Sequence, residues 1–454
     1  MNFPSAARRT PHHTVTVRAG VATAERVRLS VYDLMTGTFA TPRTFFYRRR
    51  LDAAALRESL ARTLPHYPLL TGRLVRDDDR GLSVVCDDAG IPFTESHSDR
   101  PMPAYGLDRS AKADLSAYLH KVSAFRIVGH DTPLLSVRVT HMRGGGSVLG
   151  VMINHSIVDG SGYLDFLRHW SRVHHGGERR AAPHARTLLD GLADGAAPGA
   201  ERHSAQYALV SGRRKAGFIW RVNARSRGVR TITLRLAGDE VRALKEHARA
   251  GLAGSGPRIS TGDALGAHLW KVLAGLRARP GDSTERLGMV VGLRPALSAT
   301  LPDGYWGNAV TNVTPALPAG ELRAASLADT AAVVREAVNG VTAERVRDEA
   351  AFLEAQRRAR RTHLVLSRMA LDAFEGTVAL NNVSRLPVYE IDFGAGRPFW
   401  FEFPASPVPW SLLITPTPVD DDSRDVHFSV PRKAAEALTT PEWTKRLHAY
   451  APDA

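Results

Sequence analysis

A histidine and an aspartate four positions apart, His155 and Asp159 in the segment INHSIVDG, are the residues of this chain best placed to do chemistry. The apolar run before them, residues 148–153, predicts a strand buried on both faces. After them, residues 163–173 carry apolar side chains at helical spacing. The pair therefore falls on a turn from strand to helix, where Gly160 allows a tight backbone path. A histidine held on such a turn can accept a proton near neutral pH, as a general base does.

A second interpretation of this pair stays open, because a His-x-x-x-Asp spacing alone is a weak signal. A structural histidine capped by an aspartate would give the same pattern. The strand before the pair, the Asp-Gly step and the amphipathic helix after it favour the catalytic interpretation.

The composition of the 454 residues is typical of a globular protein of two or three domains, with 43% hydrophobic and 23% charged residues. No stretch approaches the roughly 20 apolar residues of a membrane span, and the N-terminal segment MNFPSAARRTPHH has no apolar run after its basic residues. We therefore expect a cytoplasmic protein without a membrane partner. The single cysteine, Cys86, excludes an internal disulfide framework and a cysteine-based metal cluster, and we predict no metal site.

The net charge of +14 raises the question of nucleic-acid binding. The basic residues are dispersed rather than clustered with aromatic residues, and no nucleic-acid-binding signature is present, so we expect no nucleic-acid partner. A positive field still favours an anionic small ligand such as a phosphorylated co-substrate.

The remaining hydrophobic patterns predict alternating strands and helices, a mixed α/β fold. Periodicity fails from residue 176 to about residue 217, which indicates a linker. The predicted strands are 29–34, 44–47, 72–75, 82–86, 134–142, 148–153, 230–236, 378–380, 399–403, 411–416 and 426–430, and the predicted helices are 53–64, 163–173, 238–250, 260–277, 327–338 and 344–361.

Five segments, in order along the chain, resemble the BAHD acyltransferases, coenzyme A-dependent members of the chloramphenicol acetyltransferase and condensation-domain superfamily. NHSIVDG resembles the family's HxxxDG, LPDGYWGNAV (301–310) is similar to its YFGN segment, and YEIDFGAGRP (389–398) is similar to its DFGWG segment. LRESLARTLPHYPLLTGRL (56–74) resembles the N-terminal helix and strand, and STGDALGAHLWKVL (260–273) resembles a helix of the second domain. The order and spacing match along nearly the whole chain.

The resemblance implies an α/β fold of two similar chloramphenicol-acetyltransferase-like domains, each a mixed sheet with helices, with a channel between them. The N-terminal domain would span residues 1–176 and carry HxxxDG. A crossover linker, 177–217, would lead to the C-terminal domain, 218–454, which carries DFGAG. A segment near residues 375–398 is a candidate for packing with the first domain. Because the two halves already build the channel, the resemblance also implies a monomer.

The same resemblance implies the reaction. An acyl group would move from acyl-CoA, a co-substrate rather than a permanently bound cofactor, to a hydroxyl or amine of a small specialised metabolite, with His155 as general base. Asp159 would turn away from the substrate and pair with Arg294. Asp392 and Gly394 of the DFGAG segment would have structural roles.

Two departures from the family pattern affect how the enzyme would stabilise the oxyanion that forms during acyl transfer. The tryptophan of DFGWG is replaced by Ala395, and residues 381–383 read Asn-Asn-Val where plant members often have Thr-Ser-Trp. Asn381 is therefore the predicted hydrogen-bond donor to the acyl carbonyl, although a purely structural role in a buried turn stays open. For the coenzyme phosphates, the candidates are Ser260 at a helix start and the cation Arg385.

Two alternatives remain for the function. The same scaffold can take its acyl group from an acyl carrier protein or catalyse condensation or cyclisation. A non-catalytic ligand-binding protein that has kept the fold is the other alternative, and the intact HxxxDG argues against it.

Overall fold

The computed structural model describes residues 12–103, 115–120, 127–178, 183–252, 257–403, 406–419 and 421–452. The strands are β1 (His12–Val17), β2 (Arg26–Arg28), β3 (Ala40–Tyr47), β4 (Arg73–Arg76), β5 (Leu82–Val85), β6 (Ile91–Pro101), β7 (Leu135–Arg143), β8 (Ser147–Asn154), β9 (Tyr207–Leu209), β10 (Val229–Leu236), β11 (Thr284–Gly292), β12 (Val310–Val313), β13 (Ala316–Pro318), β14 (Val365–Ser367), β15 (Thr377–Asn382), β16 (Trp400–Glu402), β17 (Ser411–Pro416) and β18 (Arg424–Pro431). The α-helices are α1 (Val31–Thr36), α2 (Ala53–Thr63), α3 (Pro68–Thr71), α4 (Gly160–His174), α5 (Thr187–Asp190), α6 (Gly212–Ser226), α7 (Gly238–Ala250), α8 (Thr261–Arg277), α9 (Ala319–Ala324), α10 (Leu327–Asn339), α11 (Ala343–Arg358), α12 (Arg368–Leu371), α13 (Arg432–Leu438) and α14 (Pro441–Leu447). Within the described residues, no helix combines the length and apolar character that a membrane span requires.

The first half of the chain builds a mixed sheet with the strand order β1-β6-β7-β8-β3-β16. β7 and β8 form the predicted antiparallel hairpin, and its turn contains three glycines, 144–146, all at positive φ. Every residue of β8 is buried, because one face packs under α2 and α4 and the other packs in a smaller cluster around Phe46. β16 comes from the second half of the chain and pairs with β3, so the C-terminal half completes this sheet.

Helix α4 attaches the turn that carries His155 to the first hydrophobic core. Its inward side chains, Leu164, Leu167 and Trp170, are each no more than 1% exposed. Burying a side chain of this size stabilises a fold by about 1.5–3 kcal/mol, so the helix is firmly held on the sheet. Its first residue therefore has a fixed position relative to the end of β8.

The second half builds another sheet, with the strand order β10-β18-β17-β15-β11-β12. β15 is a central strand that pairs in parallel with both β11 and β17. Helix α8 packs on this sheet through Leu265, Leu269 and Trp270, all fully buried. The molecule thus has two mixed sheets with helices, as the sequence predicts.

The segment predicted as a crossover linker has structure of its own: its described part contains α5, β9 and the start of α6. Leu189 and Tyr207 are buried in a third cluster together with Tyr32 from the first half and Leu293 from the second. The connection is therefore packed between the two halves rather than freely suspended.

The segment near residues 375–398, a candidate for packing with the first domain, contributes to both hydrophobic cores. β15 belongs to the second sheet, whereas Val388, Ile391 and Phe393 pack in the first hydrophobic core. The domain boundaries themselves stay a prediction.

The predicted strand over residues 29–34 is wrong, because the chain forms helix α1 there. Ser30 and Asp33 make a capping box, in which the Ser30 hydroxyl accepts from the Asp33 amide and the Asp33 carboxylate accepts from the Ser30 amide. Capping satisfies amide groups that the first turn of a helix leaves unpaired, and here it outweighs the apolar pattern.

Candidate active site

The turn that carries His155 is held by main-chain and side-chain hydrogen bonds at the end of β8. The His155 amide donates to the Phe39 carbonyl at 2.9 Å, and Asn154 Nδ2 donates to the Thr38 carbonyl at 2.9 Å. Asn154 Oδ1 also accepts from the amide and hydroxyl of Ser156. The turn is thereby attached to the start of β3, and its backbone has little freedom.

The imidazole of His155 lies against the Phe39 ring, with centroids 5.2 Å apart in an edge-on arrangement. Burial lowers the pKa of His155, and the nearby Arg43 cation acts in the same direction, while Asp159 and Asn308 oppose both. The ring is therefore neutral at pH 7, the form that a general base requires. Because Nδ1 is buried, Nε2 is the nitrogen that a substrate can reach.

Asp159 caps helix α4 and is 2% exposed. Its Oδ1 accepts from the Gly162 amide at 3.1 Å and from Arg294 Nη2 at 3.2 Å. Its Oδ2 accepts from Arg294 Nη1 at 2.8 Å and from the Ala309 amide at 3.0 Å. The four bonds join the carboxylate to the first turn of α4, to Arg294 and to the segment 301–310, so Asp159 anchors the turn to the second half of the chain.

Arg294 extends this anchor to the second half of the chain. Its Nη2 also donates to the carbonyls of Tyr305 and Gly307, each at 3.2 Å. The buried Trp306 returns a bond from its indole to the Gly162 carbonyl at 2.8 Å. Residues 305–308 (YWGN) are therefore connected to the first turn of α4 both through Arg294 and through the Trp306 indole.

A second network behind His155 contains residues that the sequence analysis did not select. Asp33, fully buried, accepts from Arg186 Nε at 2.9 Å and from the amide and Nδ2 of Asn308 at 3.1 and 2.8 Å. Arg186, from the crossover segment, also donates to the Ile157 carbonyl. Asn308 Nδ2 donates to the His155 carbonyl at 2.8 Å as well. The Ser-x-x-Asp pattern of a capping box could have indicated Asp33, but no local pattern indicates Arg186.

A cavity of about 450 Å³ lies in front of His155 and between the two sheets. Arg43 of β3 lines it from the first sheet, and Asn381 of β15 and Ser429 of β18 line it from the second. His155 and Asn381, more than 200 positions apart in the sequence, thus border one space. This volume fits a small-molecule ligand.

Asn381 and Asn382 have different environments although they are adjacent. Asn382 Oδ1 accepts from the amide and hydroxyl of Ser384 and so stabilises the turn after β15. Asn381 is exposed and lines the cavity, and its side-chain amide has no hydrogen-bond partner in the part of the chain that the structure describes. The turn-forming role considered for Asn381 is therefore performed by Asn382.

The predicted coenzyme residues Ser260 and Arg385 lie near the C-terminal end of β15. A Cβ on Gly262, in the first turn of α8, would be 3.3 Å from Asn382 Nδ2, which brings that helix start beside β15. The Ser260 hydroxyl is engaged in a capping box with Asp263. Arg385 is exposed on the loop that follows β15.

That loop also approaches the catalytic turn, because a Cβ on Gly160 would be 3.4 Å from Leu386 Cδ1. The loop with Arg385 therefore lies between the N-terminal ends of α4 and α8.

Asp392 and Gly394 lie at the opposite end of α4 from His155. Asp392 Oδ1 accepts from the Gly394 amide at 2.8 Å, and its carbonyl accepts from the Ser171 hydroxyl in the last turn of α4. Gly394 has a φ of 78°, a conformation that favours glycine. At 1.5 Å per residue the helix is about 20 Å long, so the DFGAG segment contacts the fold far from His155.

Comparison with known proteins agrees with this architecture. The model of the Transferase family matches residues 12–441. A hydroxycinnamoyltransferase of Narcissus pseudonarcissus is 29% identical over 394 residues, 83% of this chain and 86% of the relative. A hydroxycinnamoyl-CoA:5-hydroxyanthranilate N-hydroxycinnamoyltransferase of Avena sativa is 28% identical over 82% of this chain and 85% of its own. Putrescine hydroxycinnamoyltransferase 1 of Oryza sativa subsp. japonica is 30% identical over 84% of this chain and 86% of the relative.

Among solved structures, F. graminearum TRI101 in complex with coenzyme A and T-2 mycotoxin aligns with a TM-score of 0.72 at 18% identity, covering 93% of this chain and 99% of that one. The fold and the family match together define an acyltransferase. The chain belongs to the BAHD acyltransferase family, whose co-substrate is acyl-CoA. The predicted family resemblance and the predicted two-domain α/β fold are confirmed.

Proposed function

We propose that this enzyme transfers an acyl group from acyl-CoA to a hydroxyl or amine of a small specialised metabolite, with His155 as general base. The observation that carries the proposal is the imidazole of His155, which its turn holds at the border of a cavity that both sheets line. Family membership supports the acyl transfer, and the relatives' names include amine acceptors such as putrescine.

The proposed reaction has two steps. Nε2 of His155 removes the proton from the acceptor while the acceptor oxygen or nitrogen attacks the thioester carbonyl, forming a tetrahedral oxyanion. The oxyanion then collapses, the carbon–sulfur bond breaks, and the proton passes from Nε2 to the departing thiolate. No bond forms between the acyl group and the enzyme, because the thioester is already activated.

Asn381 is the proposed donor to the oxyanion. Its amide borders the same cavity as His155 and has no competing partner among the described residues. A preorganised donor of this kind stabilises the charge that develops on the carbonyl oxygen.

Asp159 and Arg294 are proposed as positioning residues, since their hydrogen bonds hold the turn and leave the cavity side free. Ser260 and Arg385 are proposed to contact the coenzyme end of the donor. Backbone N–H groups at the start of a helix such as α8 can bind phosphate, and Arg385 adds a positive charge on the neighbouring loop.

The test measures free thiol release from a panel of acyl-CoAs with and without acceptors, for the wild type and for His155→Ala. We expect acceptor-dependent release, reduced about 10²–10⁴-fold in kcat by the substitution. His130→Ala, which removes an exposed histidine, is the matched control and should leave kcat unchanged. Normal turnover by a folded His155→Ala enzyme would contradict the role of His155 as general base. Activity with an acylated carrier protein but not with acyl-CoA would show that the carrier protein is the acyl donor.

A further inference from the structure

An arginine forms part of the cavity wall. The guanidinium of Arg43 lies 3.8 Å from the ring centroid of Phe403 and 5.1 Å from that of Tyr163. Its Nη1 donates to the Pro42 carbonyl at 2.9 Å, whereas its buried Nε meets no hydrogen-bond partner among the described residues. The cation thus stacks on two aromatic rings and retains donor capacity.

The wall supplies no anion for this cation. As far as the described residues go, the lining contains no Asp or Glu, and the polar groups on the far side are neutral side chains such as Ser411, Ser429 and Asn381. Burial lowers the pKa of Arg43 to about 10, so the guanidinium is still charged at neutral pH. Aromatic stacking compensates only part of the lost hydration of a buried charge.

We propose that the cavity binds a substrate that carries a carboxylate, and that Arg43 holds this carboxylate while His155 deprotonates the acceptor. The inference rests on the proposed function and specifies its substrate class. A guanidinium suits this task because its planar fork can bond both carboxylate oxygens.

The position of Arg43 sets the size of such a substrate. Arg43 lies four residues along the chain from Phe39, whose carbonyl accepts from the His155 amide, so the Cα atoms of Arg43 and His155 are about 13 Å apart along the sheet. Both side chains reach into the space between. This spacing suits a small cyclic acid with its carboxylate and its hydroxyl or amine on opposite sides of a ring.

The proposal separates two kinds of acceptor that occur in the names of the relatives. 5-Hydroxyanthranilate carries a carboxylate, whereas putrescine is a dication at neutral pH. A positively charged wall attracts the first and repels the second. We therefore expect the enzyme to favour acids over polyamines.

The experiment compares an acidic acceptor with its neutral amide and with a dication. With p-coumaroyl-CoA as donor, kcat/KM is measured for 5-hydroxyanthranilate, for 5-hydroxyanthranilamide and for putrescine. The wild type should prefer the acid to the amide by about 10- to 100-fold, the range of a charge-assisted hydrogen bond, and most of the difference should be in KM. Arg43→Gln should abolish the preference, and Arg43→Lys should keep part of it.

Arg48→Gln is the matched control. Arg48 also stacks on a phenylalanine, with its guanidinium 4.5 Å from the Phe399 centroid, but it is exposed and outside the cavity. Its substitution should leave the preference for the acid intact. A second arm replaces the donor by succinyl-CoA or butanoyl-CoA with a neutral acceptor, so that a carboxylate on the acyl group is distinguished from one on the acceptor.

Calorimetric binding of benzoate and benzamide to the enzyme without donor keeps this inference separate from the proposed function. Tighter binding of benzoate that is lost in Arg43→Gln supports the anion site even if no acyl-CoA is turned over. The inference is overturned by equal binding of benzoate and benzamide together with equal kcat/KM for the acidic and the neutral substrate in both arms. A preference for putrescine over the acid, or a preference for the acid that persists in Arg43→Gln, also overturns it.

Discussion

Replacing Asp159 by asparagine tests the anchor of the catalytic turn while keeping the shape of the side chain. The carboxylate accepts four hydrogen bonds, two at each oxygen. An asparagine has only one acceptor oxygen, so two bonds are lost and its NH₂ group faces other N–H donors. The substitution also leaves the Arg294 cation without its partner.

The expected cost follows from burial. Removing one partner of a buried ion pair costs about 3–5 kcal/mol. Asp159 is 2% exposed but the Arg294 side chain is 28% exposed, so water can replace part of the interaction. We therefore expect the free energy of unfolding to fall by about 2–4 kcal/mol. The rate should fall too, because the turn positions His155, but less than in His155→Ala.

Urea unfolding followed by circular dichroism measures the loss, as a shift of the midpoint at constant m-value. The matched control is Glu436→Gln, which breaks the exposed pair between Arg432 and Glu436, with side chains 71% and 61% exposed. A helical surface pair of this kind is worth only about 0.3–0.5 kcal/mol. If Asp159→Asn shifts the midpoint no more than the control does and kcat is unchanged, the anchoring argument is wrong.

Four further predictions concern the site and the stability of the protein. Asn381→Ala should lower kcat by about 10²–10³ with little change in KM, as expected for a lost oxyanion donor in steady-state kinetics. Arg385→Ala should raise the KM for acyl-CoA more than it lowers kcat, because the contact is remote from the reacting carbonyl. Since burial and the Arg43 cation lower the pKa of His155, kcat/KM should stay high below pH 6.5, and Arg43→Gln should move the acidic limb of its pH profile to higher pH. Burial raises the pKa of the Glu349 carboxyl from 4.5 to about 7. The contribution of this group to the free energy of unfolding is therefore fully present below pH 4.5 and is lost as the pH rises through 7. Urea midpoints across this range should show that fall in the wild type and a smaller one in Glu349→Gln.

Local patterns in the sequence were enough to predict the helices and strands around the candidate site. The apolar run and the helical spacing around His155 predicted residues 148–153 and 163–173, and the structure has β8 and α4 there. Residues 238–250 were predicted as a helix and form α7. Five motifs in order sufficed for the family, because each is a short contiguous segment. What such signals have in common is that neighbouring residues decide them.

The three-dimensional fold, in contrast, was needed to show which side chains distant in the sequence lie together around His155. β15 brings Asn381 to the cavity of His155, and the crossover segment brings Arg186 behind the same turn. Nothing near Arg43 in the sequence indicates that this arginine faces a cavity whose described lining contains no carboxylate. The charge, exposure and hydrogen bonding of these residues depend on partners that are distant in the sequence, many of them more than 100 positions away, and a periodicity of two to four residues contains no information about them.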